Sequence, residues 1–328
     1  MCCGQRRVRG HEAVVQVVES AALRAQPRPE PAREADVSPR RPDALSLDDL
    51  PRYSEWPARL LGLEAYPVRY KGETDVRREY EVDKWGTLLR QVRALDAPTV
   101  LDVEAVFVDL DAELPCYEDG TLFMGTERTM LDKHLGLYEA TLRPYLDNAS
   151  ALVELGAGYG SKLLGLCERE GFANLPLYAG EYTSTGRELI ELVSRPFLRE
   201  IKVGHCDFRN MRIEGLHVPE NAVIFTSYAT HYVPMLAAGF IDFLAALKPR
   251  AVIHFEPCYE HFDGPTLLGL MCRRYVELND YNRNLASLVE EQRAAGRIST
   301  RVRRNVLGSN PFLPLSVIEW TDQQLPIG

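Results

Sequence analysis

The chain has 328 residues, of which 45% are hydrophobic and 26% are charged, with 23 Gly, 21 Pro and a formal net charge of −9. This composition excludes collagen, bulk disorder and a coiled-coil rod, and the length is sufficient to bury a sizeable core. The acidic balance argues against a broad nucleic-acid-binding face, because such faces depend on clustered Lys and Arg. We therefore expect a soluble globular protein with one elaborated domain or two.

The distribution of cysteines and of apolar runs indicates the cellular compartment in which the protein is expected to fold. The seven cysteines are scattered, and none forms a Cys-x-x-Cys pair. No signal-peptide pattern is present, and no apolar run reaches the roughly 18 residues that a membrane span needs. These features predict a cytoplasmic protein without a disulfide framework. The expected partner is a small molecule, with no nucleic acid and no membrane, and a homodimer is the oligomer we expect if one forms.

The first 43 residues differ from the rest in composition. They are rich in Arg and Pro and hold few large apolar side chains after Val18. Such a stretch cannot bury enough surface to offset its ordering entropy, so we expect a flexible leader with at most one short helix over His11 to Arg24. An arm that binds nucleic acid or a partner is the functional alternative.

Residues 44–147 predict a mainly helical cap. Apolar side chains recur at helical spacing over residues 73–95. Asp119-Gly120 predicts a tight turn between two short β-like runs. Thr126 is expected to cap a helix that ends near Arg143, ahead of Pro144.

Residues 148–328 alternate short apolar runs with stretches of helical length. Five runs predict parallel strands with right-handed crossovers, at 152–155, 175–179, 201–203, 222–225 and 251–255. A helix is predicted over 263–295. The runs 299–306 and 315–321 are joined by a loop too short for a crossover helix, so they predict an antiparallel pair. The expected fold class is α/β, with five parallel units, an antiparallel C-terminal hairpin and an N-terminal helical cap.

A glycine-rich loop follows the first predicted strand directly, in the sequence Glu154-Leu-Gly-Ala-Gly-Tyr-Gly160. Such glycines let the backbone turn sharply and let a ligand lie against main-chain N–H groups at a helix start. Glu181 ends the next strand, and an acid at that place can accept both hydroxyls of a ribose. The pattern predicts a nucleotide site at the carboxyl ends of the strands.

The details favour a sulfonium nucleotide over a dinucleotide. A carboxylate at Glu154 would repel a diphosphate, but it can hold an ammonium group through ordered water. Asp207 can accept from an adenine amino group, with Phe208 beside the ring. Val153-Glu-Leu-Gly-Ala-Gly-Tyr-Gly160, Glu181, Asp207 and the final hairpin resemble class I S-adenosylmethionine (SAM)-dependent methyltransferases over roughly residues 126–321.

The resemblance implies a Rossmann-like sheet, SAM as the cofactor and a defined set of donor contacts. These contacts are Glu154, Gly156, Ala157, Gly158, Gly160, Glu181, Asp207, Phe208 and Ser227. A Rossmann-like fold that binds another ligand is the alternative.

The segment after the fourth predicted strand, residues 226–234, is expected to contact the methyl acceptor, and its motifs narrow the class of acceptor. It contains no Asn-Pro-Pro-Tyr motif, which disfavours methylation of amino groups on nucleic-acid bases. The Asp and Asn ligands of magnesium-dependent catechol enzymes have no clear counterparts, so no metal is predicted. Tyr228 is expected to contact the substrate. His231 is a candidate general base for a hydroxyl acceptor, or else a hydrogen-bonded structural histidine.

Two glutamates follow the fifth predicted strand. Glu256 lies where the strand ends, and Glu260 comes four residues later. The pair is predicted to orient a guanidinium or amine through bidentate hydrogen bonds and to receive its proton, whereas the structural alternative is pairing with Arg273 or Arg274. His254 shares a strand face with Glu256 and is a predicted substrate contact.

A polar stretch inside the predicted helix over 263–295 completes the expected substrate contacts. Asn279, Asn282 and Arg283 would share one helical face, where Arg283 could bind a substrate carboxylate or an acidic neighbour. These features resemble stand-alone methyltransferases of bacterial secondary metabolism, including enzymes that N-methylate free arginine. The favoured function is methylation of a guanidinium or amine nitrogen. The alternatives are O-methylation of a hydroxylated metabolite with His231 as base, and a non-catalytic SAM-binding subunit.

Overall fold

The structure is a computed structural model that describes residues 44–197, 200–322 and 325. The leader and its predicted helix over His11 to Arg24 lie outside the described residues. The first part of the described chain, up to residue 146, holds strands β1 (Ala44–Leu45), β2 (Glu113–Glu118) and β3 (Thr121–Thr126). Its α-helices are α1 (Trp56–Leu60), α2 (Glu73–Arg77), α3 (Trp85–Val92), α4 (Val100–Phe107) and α5 (Glu127–Leu142), with a π-helical turn Arg78–Lys84 between α2 and α3.

Three predictions in this part are confirmed. The helical segment that begins at Glu73 is present, although it contains the π turn and ends at Val92. Strands β2 and β3 form the predicted antiparallel hairpin, and Asp119 and Gly120 take the left-handed conformation that its two-residue turn requires. Thr126 caps α5, since its hydroxyl accepts a hydrogen bond from the Thr129 backbone N–H at 3.2 Å.

The second part alternates strands and helices. Its strands are β4 (Leu152–Leu155), β5 (Leu177–Glu181), β6 (Ile201–Asp207), β7 (Arg212–Glu214), β8 (Val223–Ser227), β9 (Ala251–Glu256), β10 (Ser299–Gly308) and β11 (Leu315–Thr321). Its α-helices are α6 (Ser161–Cys167), α7 (Ser184–Ser194), α8 (Phe240–Ala245), α9 (Leu267–Leu278) and α10 (Leu285–Ala294).

One sheet runs through both parts, in the order β1-β3-β2-β10-β11-β9-β8-β4-β5-β6-β7. The neighbours β6, β5, β4, β8 and β9 are parallel, while β11 is antiparallel to both β9 and β10. The predicted parallel core and closing hairpin are confirmed. The hairpin β2–β3 also joins this sheet, because Leu307 and Gly308 of β10 pair with Glu118 and Tyr117.

The single helix predicted over 263–295 is wrong, because the chain forms α9 and α10 with a break between them. Asp280 in the break has φ of 50°, a left-handed conformation that ends a helix. The Asn282 side chain accepts from the backbone N–H groups of Asn284 and Leu285 and donates to the Val233 carbonyl. Short amide side chains that bond the backbone in this way compete with helical hydrogen bonds.

Apolar clusters cover both faces of the sheet and hold the strand ends in place. Phe225 and Phe255 are fully buried in one cluster, and Trp320 is buried in the other. Burial on both faces is typical of parallel strands. None of the helices in the described ranges combines the length and the apolar character that a membrane crossing requires.

Candidate active site at the carboxyl ends of the parallel strands

A cavity of about 660 Å³ lies at the carboxyl ends of β4, β5, β6 and β8, bordered on its other side by helices of residues 73–142. Eight of the nine predicted donor contacts line it: Glu154, Gly156, Ala157, Gly158, Glu181, Asp207, Phe208 and Ser227. Gly160 does not. It precedes α6 with φ of 82° and faces Ile190 instead, so its role is to start the helix.

The glycine loop is shaped by close approach of other residues. A Cβ on Gly156 would lie 2.4 Å from the Ala229 Cβ and 3.0 Å from the Phe208 ring, and the residue has φ of 76°. Both conditions exclude a side chain. The N–H groups of Gly156 and Ala157 donate to the Gly180 carbonyl, at 2.7 and 3.0 Å, which ties the loop to the end of β5.

Glu181 is held rigidly at the end of β5. Its Oε1 accepts from the backbone N–H and the hydroxyl of Thr183, at 2.9 and 2.7 Å, and its Oε2 accepts from the Gly158 N–H at 2.9 Å. Burial raises its pKa above the ordinary value, and these hydrogen bonds oppose the rise. The carboxylate is therefore oriented before any ligand arrives.

Glu154 is a buried acid beneath the glycine loop. It is 1% exposed, and one oxygen accepts from the Leu163 N–H at 3.2 Å. Burial raises its pKa to about 8, although the Lys162 charge opposes the rise. A cationic ligand group beside it would favour the ionised form, which fits the predicted contact with an ammonium.

Asp207 ends β6 and is oriented by the turn that follows. Its Oδ1 accepts from the backbone N–H groups of Arg209 and Asn210, at 2.9 and 3.1 Å. The Asn210 side chain donates to Oδ2 at 2.8 Å. Phe208 packs edge-on against Phe240 with ring centroids 5.7 Å apart, so the two predicted adenine contacts stand side by side on the cavity wall.

The predicted glutamate pair is not assembled in the cavity. Glu256 is fully buried, and both of its oxygens accept from the Ala229 N–H at 3.0 Å, with a further bond from the Thr230 N–H at 3.1 Å. Burial acts to raise its pKa, but the His231 ring and these N–H groups outweigh it and hold the pKa below the ordinary value. Glu260 accepts instead from the Ser287 backbone at 3.0 Å. Neither glutamate lines the cavity.

The two predicted histidines also lie behind the cavity wall. His231 is 2% exposed, with its Nδ1 3.5 Å from a Glu256 oxygen and its ring 3.8 Å from that of Tyr232. His254 is buried between Thr226, at 3.0 Å, and the Trp320 indole N–H, which donates to its Nε2 at 3.1 Å. Burial lowers the pKa of both rings, that of His254 to about 4. Neither ring lines the cavity, and the Nδ1 of His231 is buried without a hydrogen-bond partner among the described residues.

The polar residues that follow α9 bond to other parts of the protein and not to the cavity. Asn279 donates to the Tyr275 carbonyl at 2.9 Å, Asn282 organises the break between α9 and α10, and Arg283 pairs with Asp280 at 3.1 Å. None of these residues lines the cavity, because the helix on which they would have shared a face is interrupted. Tyr228 is the predicted substrate contact that does line it.

Residues of α3, α4 and α5 line the cavity and were missed by the sequence analysis. They include Trp85, Glu104, Phe107, Glu127, Met130, His134 and Tyr138. Helical periodicity marked the apolar faces of 73–95 and 126–143, but a stripe alone does not show whether it faces a core or a ligand. The Tyr138 hydroxyl lies 2.8 Å from the Ser227 hydroxyl and joins α5 to the end of β8.

His134 is the histidine on the cavity wall. Its Nδ1–H donates to the Met130 carbonyl at 2.7 Å, which leaves Nε2 as the unprotonated nitrogen. Nε2 is buried without a hydrogen-bond partner among the described residues. Burial lowers the pKa of the ring to about 4, so the imidazole is neutral at pH 7.

The described residues contain no group of three or more His, Cys, Asp and Glu side chains arranged to hold a metal ion. No protein-family model matches the chain, and no curated protein matches it in sequence.

Several solved structures are similar to this chain. Magnesium protoporphyrin IX methyltransferase from Synechocystis PCC 6803, with bound SAH, is 13% identical over 76% of this chain and 99% of its own, with a TM-score of 0.45. The methyltransferase domain of a bacterial Hen1 is 14% identical over 58% and 98%, with a TM-score of 0.40. PigF with SAH is 13% identical over 76% and 73%, with a TM-score of 0.37. Similarity at this level does not carry an activity from one protein to another.

Proposed function

We propose that this chain is a SAM-dependent methyltransferase that acts on a small molecule. The observation that carries the proposal is a single cavity whose wall joins Asp207 and Phe208, Glu181, the glycine loop and Ser227 on neighbouring parallel strands. Adenine, ribose and methionine moieties each have a matching group there. The buried Glu154 suits the donor's ammonium. Its pKa is near 8 when no cation is bound, and a neighbouring cation would favour its ionised form.

The cavity also extends beyond the donor contacts. Its wall includes Ser309, which follows β10, and β10 lies three strand intervals from β8 in the sheet order. Three intervals correspond to about 14 Å, at roughly 4.8 Å per interval. The total of about 660 Å³ lies within the usual range of small-molecule sites. This extension supports an enzyme with room for an acceptor over a subunit that only binds the donor.

SAM held by these residues would supply an electrophilic methyl group: the acceptor would bond to the methyl carbon as the carbon–sulfur bond breaks, with the electron pair staying on sulfur. The chain must then position the acceptor in line, exclude water and take up a proton. Tyr138, through its hydrogen bond to Ser227, holds the wall beside the end of β8. Tyr80 and Trp85 shield the cavity on the side of α3.

The acceptor atom that we propose is a nitrogen of an amine or guanidinium, such as free L-arginine in a biosynthetic pathway. The charge of the wall supports this choice. Eight acidic residues line the cavity (Glu73, Glu104, Glu127, Asp132, Glu154, Glu168, Glu181, Asp207) against five basic ones (Lys84, Arg128, Lys162, Arg169, Arg209). The acids still outnumber the bases when Glu154 and Glu127, with pKa values of about 8 and 7, are counted as partly protonated. An acidic wall attracts a cation and can accept the proton that a methylated nitrogen releases.

A hydroxyl acceptor is the second candidate, and one observation favours it. The unprotonated and unpartnered Nε2 of His134 has the form that a general base needs. His134 thereby replaces His231 in the O-methylation alternative. Loss of turnover in His134→Ala, with turnover retained in His231→Ala, is the result that would favour a hydroxyl.

The proposal is tested by donor binding and by product formation. We expect calorimetry to show SAM and SAH binding to the wild type, and Asp207→Ala to weaken both at least about tenfold, because it removes a charged hydrogen-bond acceptor. Asp242→Ala on α8, outside the cavity wall, is the matched control. A folded Asp207→Ala variant that binds SAM as tightly as the wild type contradicts the proposed donor site.

Product formation is measured by mass spectrometry with a deuterated-methyl donor, first on L-arginine and then on a metabolite extract. We expect a labelled product in at least one of the two. Donor binding without any labelled product would favour the non-catalytic subunit.

A further inference from the structure

Three aromatic rings form a cluster on the cavity wall, and they come from three separate elements. Trp85 begins α3, Phe107 ends α4, and Tyr159 belongs to the glycine loop. Their ring centroids are 5.9 Å apart for Trp85–Phe107, 5.5 Å for Trp85–Tyr159 and 5.9 Å for Phe107–Tyr159. Aromatic rings attract cations through their negative faces, most strongly where water is excluded.

Two carboxylates line the same cavity. Glu104 is on α4, one turn before Phe107, and Glu127 is the first residue of α5. Burial raises the pKa of Glu127 to about 7, and the charge of Glu104 contributes to the rise, so the two groups are close enough to interact. Within the described ranges, no Lys or Arg forms an ion pair with either. Two acids that share a site without a counter-ion destabilise each other's charged form.

Tyr159 provides an independent sign of a ligand. The residue is 5% exposed, and its hydroxyl is buried without a hydrogen-bond partner among the described residues. Burial and the neighbouring Glu104 carboxylate raise its pKa well above the ordinary value, so the phenol remains a neutral donor. Glu104 and Ser161 are near the hydroxyl, but neither meets the geometry of a normal hydrogen bond with it. Buried polar groups in folded proteins are nearly always paired, and an unpaired one on a cavity wall indicates a partner supplied from outside the chain.

We propose that Glu104 and Glu127, with the rings of Trp85, Phe107 and Tyr159, form the subsite that binds a positively charged group of the methyl acceptor. The proposal rests on the function proposed above and deepens it, since it selects organic cations as the substrate class. A guanidinium or ammonium would gain two charge-assisted hydrogen bonds and a ring contact there. It would also relieve the repulsion between the two carboxylates.

The substrate class is tested by fractionation. A metabolite extract is separated on a strong cation exchanger at pH 7, and each fraction is incubated with the protein and the deuterated-methyl donor. We expect the labelled product to form from the retained fraction. A product that forms only from the flow-through contradicts the proposed cation subsite but is consistent with the proposed methyltransferase function. If no fraction gives a product, the proposed function fails, and the subsite fails with it.

The residues are tested with Glu104→Gln and Glu127→Gln, with Glu170→Gln as an exposed control outside the cavity wall. We expect each cavity variant to raise the acceptor KM about tenfold or more, because a charged hydrogen bond becomes a neutral one, and to leave SAH affinity within twofold. A matching loss of SAH affinity would overturn the proposal, because the carboxylates would then hold the donor's own ammonium. An unchanged KM would overturn it as well.

The pH profile separates charge recognition from a purely structural role. Glu127 ionises as the pH rises through about 7, so the wild-type KM for the cation should fall between pH 6 and pH 8. Glu127→Gln cannot ionise and should lose that dependence, whereas Glu170→Gln should keep it. Identical profiles in the wild type and Glu127→Gln contradict a binding role for the Glu127 charge.

Discussion

At the scale of single residues, Glu256 shows that a carboxylate at a strand end can accept hydrogen bonds from the backbone as readily as from a ligand. It stands at the end of a parallel strand, where a carboxylate can meet a substrate, yet its oxygens accept from the N–H groups of Ala229 and Thr230. The loop that it holds includes Tyr228, which has φ of 47°, a strained conformation for a residue with a side chain. Glu256 is therefore a positioning residue for a wall of the cavity.

Glu256→Gln should destabilise the protein rather than change its substrate preference. The amide keeps one acceptor oxygen and presents an NH₂ group towards backbone donors, so we expect the free energy of unfolding to fall by about 1–3 kcal/mol. Urea denaturation measures this fall, and Glu260→Gln, with its single bond to Ser287, is the milder comparison. Unchanged stability together with a raised acceptor KM would restore the predicted substrate role.

At the scale of elements, the Glu81 side chain links the helical segment over α2, the π turn and α3 to the start of α7, beside the apolar packing of α3 on α7. The Glu81 carboxylate accepts from the backbone N–H groups of Ser184, at 3.1 and 3.0 Å, and Thr185, at 3.2 Å, as well as from the Ser184 hydroxyl. The first N–H groups of a helix have no partner within it, and a carboxylate there also meets the positive end of the helix dipole. Glu81 thus holds in place a segment whose Tyr80, Lys84 and Trp85 line one side of the cavity.

Glu81→Gln should loosen this segment. We expect faster hydrogen exchange over residues 73–92 and faster dissociation of SAH, because the amide cannot match a carboxylate as the acceptor for three donors. Hydrogen-exchange mass spectrometry and stopped-flow displacement measure the two effects. Asp83→Asn in the same π turn is the control, since the described residues show no hydrogen bond or ion pair to Asp83. Equal exchange in both variants would mean that packing alone holds the segment.

At the scale of the whole molecule, the sheet continues from the parallel core through β10 into the hairpin β2–β3, so the two parts share one scaffold. Apolar clusters on both faces enclose the cysteines of the described residues. Cys116, Cys167, Cys206, Cys258 and Cys272 are all buried as free thiols. Burial raises the pKa of Cys116 and of Cys272 to about 12, so these thiols are protonated at neutral pH.

Thiol titration should therefore report the integrity of the whole fold. We expect these five cysteines to be unreactive towards an aromatic disulfide reagent at pH 8 in the native protein, and to react together in denaturant. Cys2→Ser/Cys3→Ser removes the two cysteines outside the described residues, so that only these five are counted. Rapid reaction of any one of them in the native variant would mean that its part of the core opens locally.

The sequence by itself determined the parallel core, the glycine loop, the closing hairpin and the cap of α5. These features depend on signals that are local in the chain: alternation of apolar runs, glycines at fixed spacing, a loop too short for a crossover and a capping threonine. Eight of the nine predicted donor contacts line the cavity for the same reason, because they follow strands whose carboxyl ends meet at one edge of the sheet.

Only the tertiary structure decided which side chains face the proposed acceptor end of that cavity. Glu256 and His231 carry suitable chemistry, but they turn towards the backbone and the core, while Glu104, Glu127 and His134 reach the wall from helices that precede the glycine loop in the chain. The direction of a side chain depends on how α4 and α5 pack over the sheet. That packing is set by contacts between residues far apart in the chain, and a local pattern does not contain it.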